Sequence, residues 1–383
     1  QGAGYNPRYS AGWRQDLHGI FSDDYISTEM LTGHPAMTPA AFSRDGVRKY
    51  WLSNDFITRI ALNPMEYHHF EDDDIHRQHI RYANGAQIWV NRGEKDWDIK
   101  GHVLPPFGFY AEAGDAACAI EKKQETLVEW SRAPERLYLN ARRAPEACLP
   151  LQLLAADITS VGGRTIQLSL NWDLRAPLDP AMRIFVHFID SKDNIAFQAD
   201  HPFPAEAASE AKAFSTAAQA QLPPECQTGD HFEIRVGVFQ PGKGQCLMEQ
   251  AHHERRFIAA GTLVFEGEEG KLPRISYAKQ VLETDPYYLR MNREGKAVSF
   301  EEAVTDGAFR LTREGARLIL LLLPDSPAFD ISLNLEALPF AAAKPGQITT
   351  EKQDGTRLHE SLEESGTELS LHVAADTFAL YLE

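Results

Sequence analysis

The chain has 383 residues and a net charge of −17, with 43% hydrophobic and 10% aromatic residues. That balance describes a folded globular protein, long enough for roughly two to four domains that each bury a core. A negative surface without a block of consecutive Lys or Arg repels phosphate backbones, so nucleic acid is not an expected partner, while neutral or cationic ligands stay open.

No apolar run reaches the length of a membrane-spanning helix, and the longest, 318–323, suits a buried strand. The sequence begins at Gln1 with neither Met nor a signal-peptide pattern. This reads as a removed leader or as a start inside a larger protein. Of the four cysteines, Cys226 and Cys246 fall in one predicted module, and their pairing is open because connectivity does not follow from spacing. No CxxC spacing occurs.

Residues 1–75 differ from the remainder of the chain. A Gly- and Asn-rich opening leads through WRQDLHGIFSDD to a short strand-like run at 25–30, then to the loop TGHPAMTP. Ser43 is a good N-cap and Asp45 sits in the first turn. Val47, Tyr50, Trp51, Phe56, Ile57 and Ile60 then give an apolar helical face that Asn63-Pro64 ends. Together these make one β/α unit. A single such strand cannot cover both of its faces, so the unit reads as the remnant of something larger or as a piece docked on the next domain.

From residue 75 the pattern turns to β. Asn84-Gly85 between 80–82 and 87–91 is a hairpin signal, with both central positions expected at φ > 0. Short strands continue to 141, and 141–150 is a first linker. Alternating runs at 151–158, 165–172, 183–189, 196–200, 231–239 and 255–258 suggest an immunoglobulin-like β-sandwich. The Ala-rich stretch 203–224 reads as a long connection, and EGEEGKLP at 266–273 as a second linker. Six further strands between 308 and 382 suggest another sandwich-type module. The expected division is 1–75, 76–148, 149–265 and 275–383, mainly β after a short α/β remnant.

Chemistry-bearing residues crowd before the β region: Asp16, His18, Asp23, Asp24, Glu29 and His34. A Glu at a strand end with a second carboxylate near it has the makings of an acid, base or nucleophile for glycosidic cleavage. The structural alternative is a solvated Asp23-Asp24 loop, with Glu29 a salt-bridge partner of Arg14 or Arg44. His68, His69, His76 and His79 around Glu71 to Asp74 invite a metal reading, against which stands a plain acidic turn without an EF-hand pattern. No GxSxG, GxGxxG or P-loop occurs, so neither a nucleotide cofactor nor any other is expected. Trp89, Trp97, Tyr110 and Trp130 are available to stack on sugars or to pack a core.

YANGAQIWVNRGEKDWDIKGHVLPPFGFYA resembles the β-unit that follows the catalytic barrel in large bacterial glycoside hydrolases. The shared pattern is Tyr-x-(Asp/Asn)-Gly, Val-Asn, Gly and Leu-Pro-Pro-x-Gly-Phe. Tyr82, Asn84, Gly85, Val90, Asn91, Gly101, Leu104, Pro105, Pro106, Gly108 and Phe109 match it. TEMLTGHPAM at 28–37 is similar to the end of such a barrel. Stretches 183–204 and 232–241 resemble an accessory sandwich of secreted carbohydrate-active and cell-surface proteins.

The resemblance implies a polysaccharide or oligosaccharide substrate and a secreted, periplasmic or cell-surface location. It nominates Glu29, Asp23 and Asp24 as catalytic candidates and His18, His34 and Trp13 as substrate contacts. A complete barrel needs roughly 200 residues or more, and only about 75 precede the β-unit. The expected function is therefore the C-terminal part of a glycoside hydrolase, inactive in this form. The alternatives are a carbohydrate-binding or cell-surface β-sandwich protein, and modules that only brace a barrel.

Overall fold

The computed structural model describes residues 20–37, 42–143, 148–162, 164–204, 206, 209–248, 250–251, 256–267, 274–282, 290–362 and 367–383. The chain is mainly β, built from antiparallel sheets in two compact units: Gln1–Pro145 with Met291–Glu383, and Glu146–Arg290. Among the described residues no helix is long and apolar enough to cross a membrane.

The first described element of the first unit is helix α1, Asp23–Thr32, where the sequence suggested a strand. Its capping explains the difference. The Ser22 hydroxyl accepts from the Tyr25 N–H, Asp23 and Asp24 favour the positive end of the helix, and Gly33 closes it at φ 64°. Ile26 and Met30, one turn apart, form its buried stripe. Helix α2, Arg44–Ile60, follows the expected plan, with the Ser43 hydroxyl accepting from Gly46 N. Leu52, Phe56, Ile57 and Ile60 are buried, each stabilising the fold by about 1.5–3 kcal/mol.

Nine strands come next: β1 Met65–Phe70, β2 Arg77–Tyr82, β3 Gln87–Asn91, β4 Trp97–Ile99, β5 His102–Leu104, β6 Phe109–Ala113, β7 Ala116–Lys123, β8 Thr126–Ala133 and β9 Arg136–Asn140. The β2–β3 hairpin forms, but of its turn residues only Gly85 takes positive φ. The Gly85 N–H bonds to Tyr82 O and the Tyr82 N–H to Ala86 O. This is a three-residue loop with a bulge at glycine, not the two-residue turn the sequence suggested. Two-residue turns with both central positions at positive φ occur instead at β4–β5, with Lys100 and Gly101, and at β7–β8, with Gln124 and Glu125.

The sheet runs β1-β2-β3-β6-β7-β8-β9 and continues without a break into Ala308–Glu314, Arg317–Leu322, Thr377–Leu382, Gln347–Lys352 and Arg357–Ser361. The junction is the antiparallel pairing of β9 with Ala308–Glu314, Leu139 opposite Phe309. Segments 76–148 and 275–383, set apart by the sequence reading, thus contribute to one sheet. One face packs α1 and α2 over Ile80, Ile88, Val90, Phe109 and Ile120. The other packs Trp89, Trp130, Leu139 and Phe309 against a four-stranded sheet of Val298–Ser299, Ala303–Thr305, Phe329–Asn334 and Glu368–Val373.

The second unit pairs Leu151–Gly162, Thr165–Leu174 and Ala213–Gln221 in one sheet. In the other, Arg183–Ile189, His231–Gln240, Ile258–Glu266 and Arg274–Lys279 run side by side. Their inner faces share one core, with Leu168, Leu170 and Trp172 from the first sheet and Val186, Phe188 and Val236 from the second. Strand Ala213–Gln221 lies where a connection was expected. Its alternation of Phe214, Thr216, Ala218 and Ala220 against Ser215, Ala217 and Gln219 is real, but the side chains are too small to signal it. Residues 268–273, most of the expected second linker, lie outside the described residues.

Candidate functional site

The residues nominated for cleavage do not form one site. Asp23, in the first turn of α1, meets two guanidinium groups. Arg142 donates to both of its oxygens, Nη1 to Oδ2 at 2.8 Å and Nη2 to Oδ1 at 2.5 Å, and Arg48 Nη2 reaches Oδ1 at 3.2 Å. The same two arginines hold Glu129 from β8: Arg48 Nε lies 2.9 and 3.0 Å from its two oxygens, and Arg142 Nη2 lies 2.5 Å from Oε1. Tyr138 Oη and Asn140 Nδ2, from β9, donate to Glu129 Oε2 at 3.2 and 3.0 Å.

All four charged side chains are 5% exposed or less, and two positive charges balance two negative. Burial by itself would raise the Glu129 carboxyl, but Arg142 and Arg48 outweigh it and hold the group below the usual carboxylate range. Arg142 is raised despite its burial, because Asp23 and Glu129 favour its charged form.

Glu29 belongs to a different pair. Its Oε2 lies 2.7 Å from Lys49 Nζ and its Oε1 accepts from Met37 N at 3.0 Å. Lys49 is fully buried, donates to Ile20 O at 2.9 Å and lies over the Tyr25 ring. Burial pulls its ammonium below the ordinary lysine value, with Glu29 opposing that shift. The described partner is Lys49, a residue the sequence did not suggest; of the two cations weighed from sequence, Arg14 lies outside the described residues. Arg44 donates to Pro324 O and Ser326 Oγ.

Asp24 faces outward and pairs with Arg92 at 2.6 Å. His34 sits just past the Gly33 cap, its N–H donating to Glu29 O at 3.0 Å. His18 and Trp13 lie outside the described residues. Glu29 stands on a helix, so the strand-end position that made it a barrel-type candidate is not realised.

Two aromatic residues of 81–111, Trp89 and Tyr110, belong to an ordered row on the other face of the sheet. Register places His69, His79, Trp89 and Tyr110 directly across β1, β2, β3 and β6. His79 stacks on Trp89 at 4.6 Å, Trp89 on Tyr110 at 5.7 Å, and His102 from β5 on Tyr110 at 3.9 Å. Carboxylates tie the ring edges: Glu71 to His79 Nδ1 at 2.9 Å, Glu112 to Tyr110 Oη at 2.7 Å, and Glu121 to both His102 Nδ1 and Trp130 Nε1.

Trp89, Trp97, Tyr110 and Trp130 are 9% exposed or less, so these four are core. Open aromatic surface lies instead on β1, where Tyr67 is 37% exposed. Sequence reasoning passed over it, because Tyr67 and His69 on one face and His68 and Phe70 on the other give no polar–apolar alternation. Among the described residues no group of three or more His, Cys, Asp or Glu is arranged to hold a metal ion.

A cleft of about 710 Å³ opens beside the start of α2, lined by Phe42, Tyr50, Trp51, Leu321, Gln353 and Phe378. In the second unit, His187 and Asp200 approach to 3.6 Å, and Arg235 pairs with Asp193 and Glu233. Burial lowers the His187 imidazole, with Asp200 opposing. Cys226 is a buried free thiol, so its pairing with Cys246 is not made.

No protein-family model matches this chain, and no curated protein matches it.

Proposed function

We propose that this chain is a non-catalytic, β-rich part of a carbohydrate-active enzyme of glycoside hydrolase type, serving saccharide contact and domain bracing. The observation that carries the reading is the state of the two buried carboxylates. Asp23 is enclosed by Arg48 and Arg142, and Glu29 by Lys49. Glycosidic cleavage needs one carboxyl kept protonated near neutral pH, a second one ionised, and a sugar between them. Buried carboxylates paired with cations are held ionised, which supplies no protonated acid and leaves no room for a sugar between them. They suit a joint that locks α1 and α2 to the sheet.

The saccharide context comes from the resemblance of 82–109 and 183–204 to parts of such enzymes. In this reading α1 and α2 end a barrel-like domain, the second unit is an immunoglobulin-like accessory sandwich, and the protein works in a secreted, periplasmic or cell-surface setting. The test is a paired assay on the purified chain: turnover of aryl glycosides and polysaccharides, and retention in affinity gels cast with the same polysaccharides. Retention without turnover is the expected result. Turnover abolished by Glu29→Gln in a protein of unchanged melting temperature would overturn the proposal.

A further inference from the structure

The outer part of the β1–β6 face is a grid of accessible side chains set by strand register. Behind the row of His69, His79, Trp89 and Tyr110 lies a second row, Tyr67, Arg81, Gln87 and Glu112, each opposite the next on β1, β2, β3 and β6. The two rows share one face, since directly paired residues point the same way and residues two apart along a strand do too. The ring contacts agree: Tyr67 stacks on His69 at 5.6 Å and meets His79 edge-on at 5.6 Å. Tyr67, His69 and Arg81 are exposed, while Gln87 and Glu112 are half-buried.

The face is charge-balanced. Arg81 lies 4.0 Å from Glu66, Lys100 lies 2.6 Å from Glu112, and His79 bonds to Glu71. Gln87 Oε1 is engaged by His79 Nε2 at 3.0 Å and the Arg81 guanidinium lies 5.5 Å over the Tyr67 ring, so the face offers the Gln87 amide N–H groups and the Arg81 donors beside that ring, with little net field. That complements a neutral polyhydroxylated ligand better than an ion. Aromatic faces attract the C–H groups of a sugar ring through the negative π-cloud, and charged or amide side chains make strong bonds to hydroxyls. Neighbouring strands stand about 4.8 Å apart, on the scale of a single sugar ring. Carried on strands, the groups are held in place before binding, which limits the entropy lost.

We propose that Tyr67, Arg81 and Gln87 form a binding face for a neutral oligosaccharide, with Tyr67 the stacking ring and Arg81 and Gln87 the hydroxyl partners. This rests on the proposed saccharide contact and gives it a location. It replaces Trp89 and Tyr110, which are covered, with an aromatic of the same face that solvent reaches.

The test is titration calorimetry of the full chain with cellohexaose, xylohexaose, mannohexaose and laminarihexaose, with hexagalacturonate as an anionic probe. One neutral hexaose should bind and the anion should not. Tyr67→Ala should weaken that binding by about tenfold or more, Tyr67→Phe should retain it, and Arg81→Ala or Gln87→Ala should weaken it severalfold, all at unchanged melting temperature. The exposed Phe378, across the same unit, provides a control. Binding lost in Phe378→Ala but kept in Tyr67→Ala, or kept in both, overturns this site and leaves the saccharide reading standing. Preference for the anion overturns the neutral-ligand assignment. No binding of any probe overturns both.

Discussion

Arg142 and Asp23 stand 119 positions apart in the chain, yet their side chains meet end-on in the buried interior of the first unit, with two parallel N–H donors on two carboxylate oxygens. Arg48 and Glu129 close the arrangement. Buried charges are tolerated only where each has its counterpart and its remaining lone pairs are used, and removing one partner strands another.

Asp23→Ala or Glu129→Gln should therefore destabilise the protein by about 3–5 kcal/mol. The expected readout is a lower urea midpoint at unchanged slope. A midpoint equal to that of the parent chain would show that the network contributes nothing.

Acid should weaken the same joint. The Glu129 carboxyl is held below its unfolded value by Arg142 and Arg48, although burial works the other way. The stability it supplies is fully present above the unfolded carboxyl value of about 4.3 and is lost as pH falls through the lower folded value. Unfolding free energies measured between neutral and acid pH should drop below roughly pH 4. Glu129→Gln should flatten part of that drop.

Glu29 should behave as a structural partner of Lys49. Glu29→Gln leaves a fully buried ammonium without its carboxylate, and the loss should appear in the melting temperature. Replacing both residues by apolar ones, Glu29→Leu with Lys49→Met, should recover most of it, because a well-packed apolar pair escapes the desolvation cost. Strict additivity of the two single substitutions in a double-mutant cycle would contradict direct pairing.

Gly33 and Tyr82 should be coupled. Gly33 caps α1 at φ 64°, and a Cβ placed there would come within 2.2 Å of Tyr82 Oη. That hydroxyl is buried and has no hydrogen-bond partner among the described residues, and burial pushes its ionisation up to about 12. Gly33→Ala should cost more than the roughly 1 kcal/mol expected for the left-handed backbone alone. Tyr82→Phe should be neutral or stabilising, since it removes a hydroxyl that has lost water and gained nothing. In the Tyr82→Phe background Gly33→Ala should cost less. Equal costs in both backgrounds would refute the contact.

Sequence by itself determined the local β character, the α2 helix and most strand positions. Capping at Ser43, the turn at Asn84-Gly85 and the alternation of 165–172 act over a few residues and need no distant partner. It misjudged 25–30, where Tyr25, Ile26 and Met30 suit a strand or a helix equally. Ser22 and Gly33, at the ends, decided for the helix. Tertiary structure alone decided which carboxylate met which cation, because Arg142, Glu129 and Lys49 reach Asp23 and Glu29 only after α1 and α2 settle on the sheet.

Tertiary structure alone also decided the standing of the 81–111 stretch. Its tryptophans read equally as platform or core from sequence. The four-stranded sheet and the β4–β5 hairpin cover them, since a large apolar ring gains most free energy where a second layer can remove it from water. What stays open to solvent is the sheet edge at Tyr67 and Arg81, where no second layer of the described residues packs.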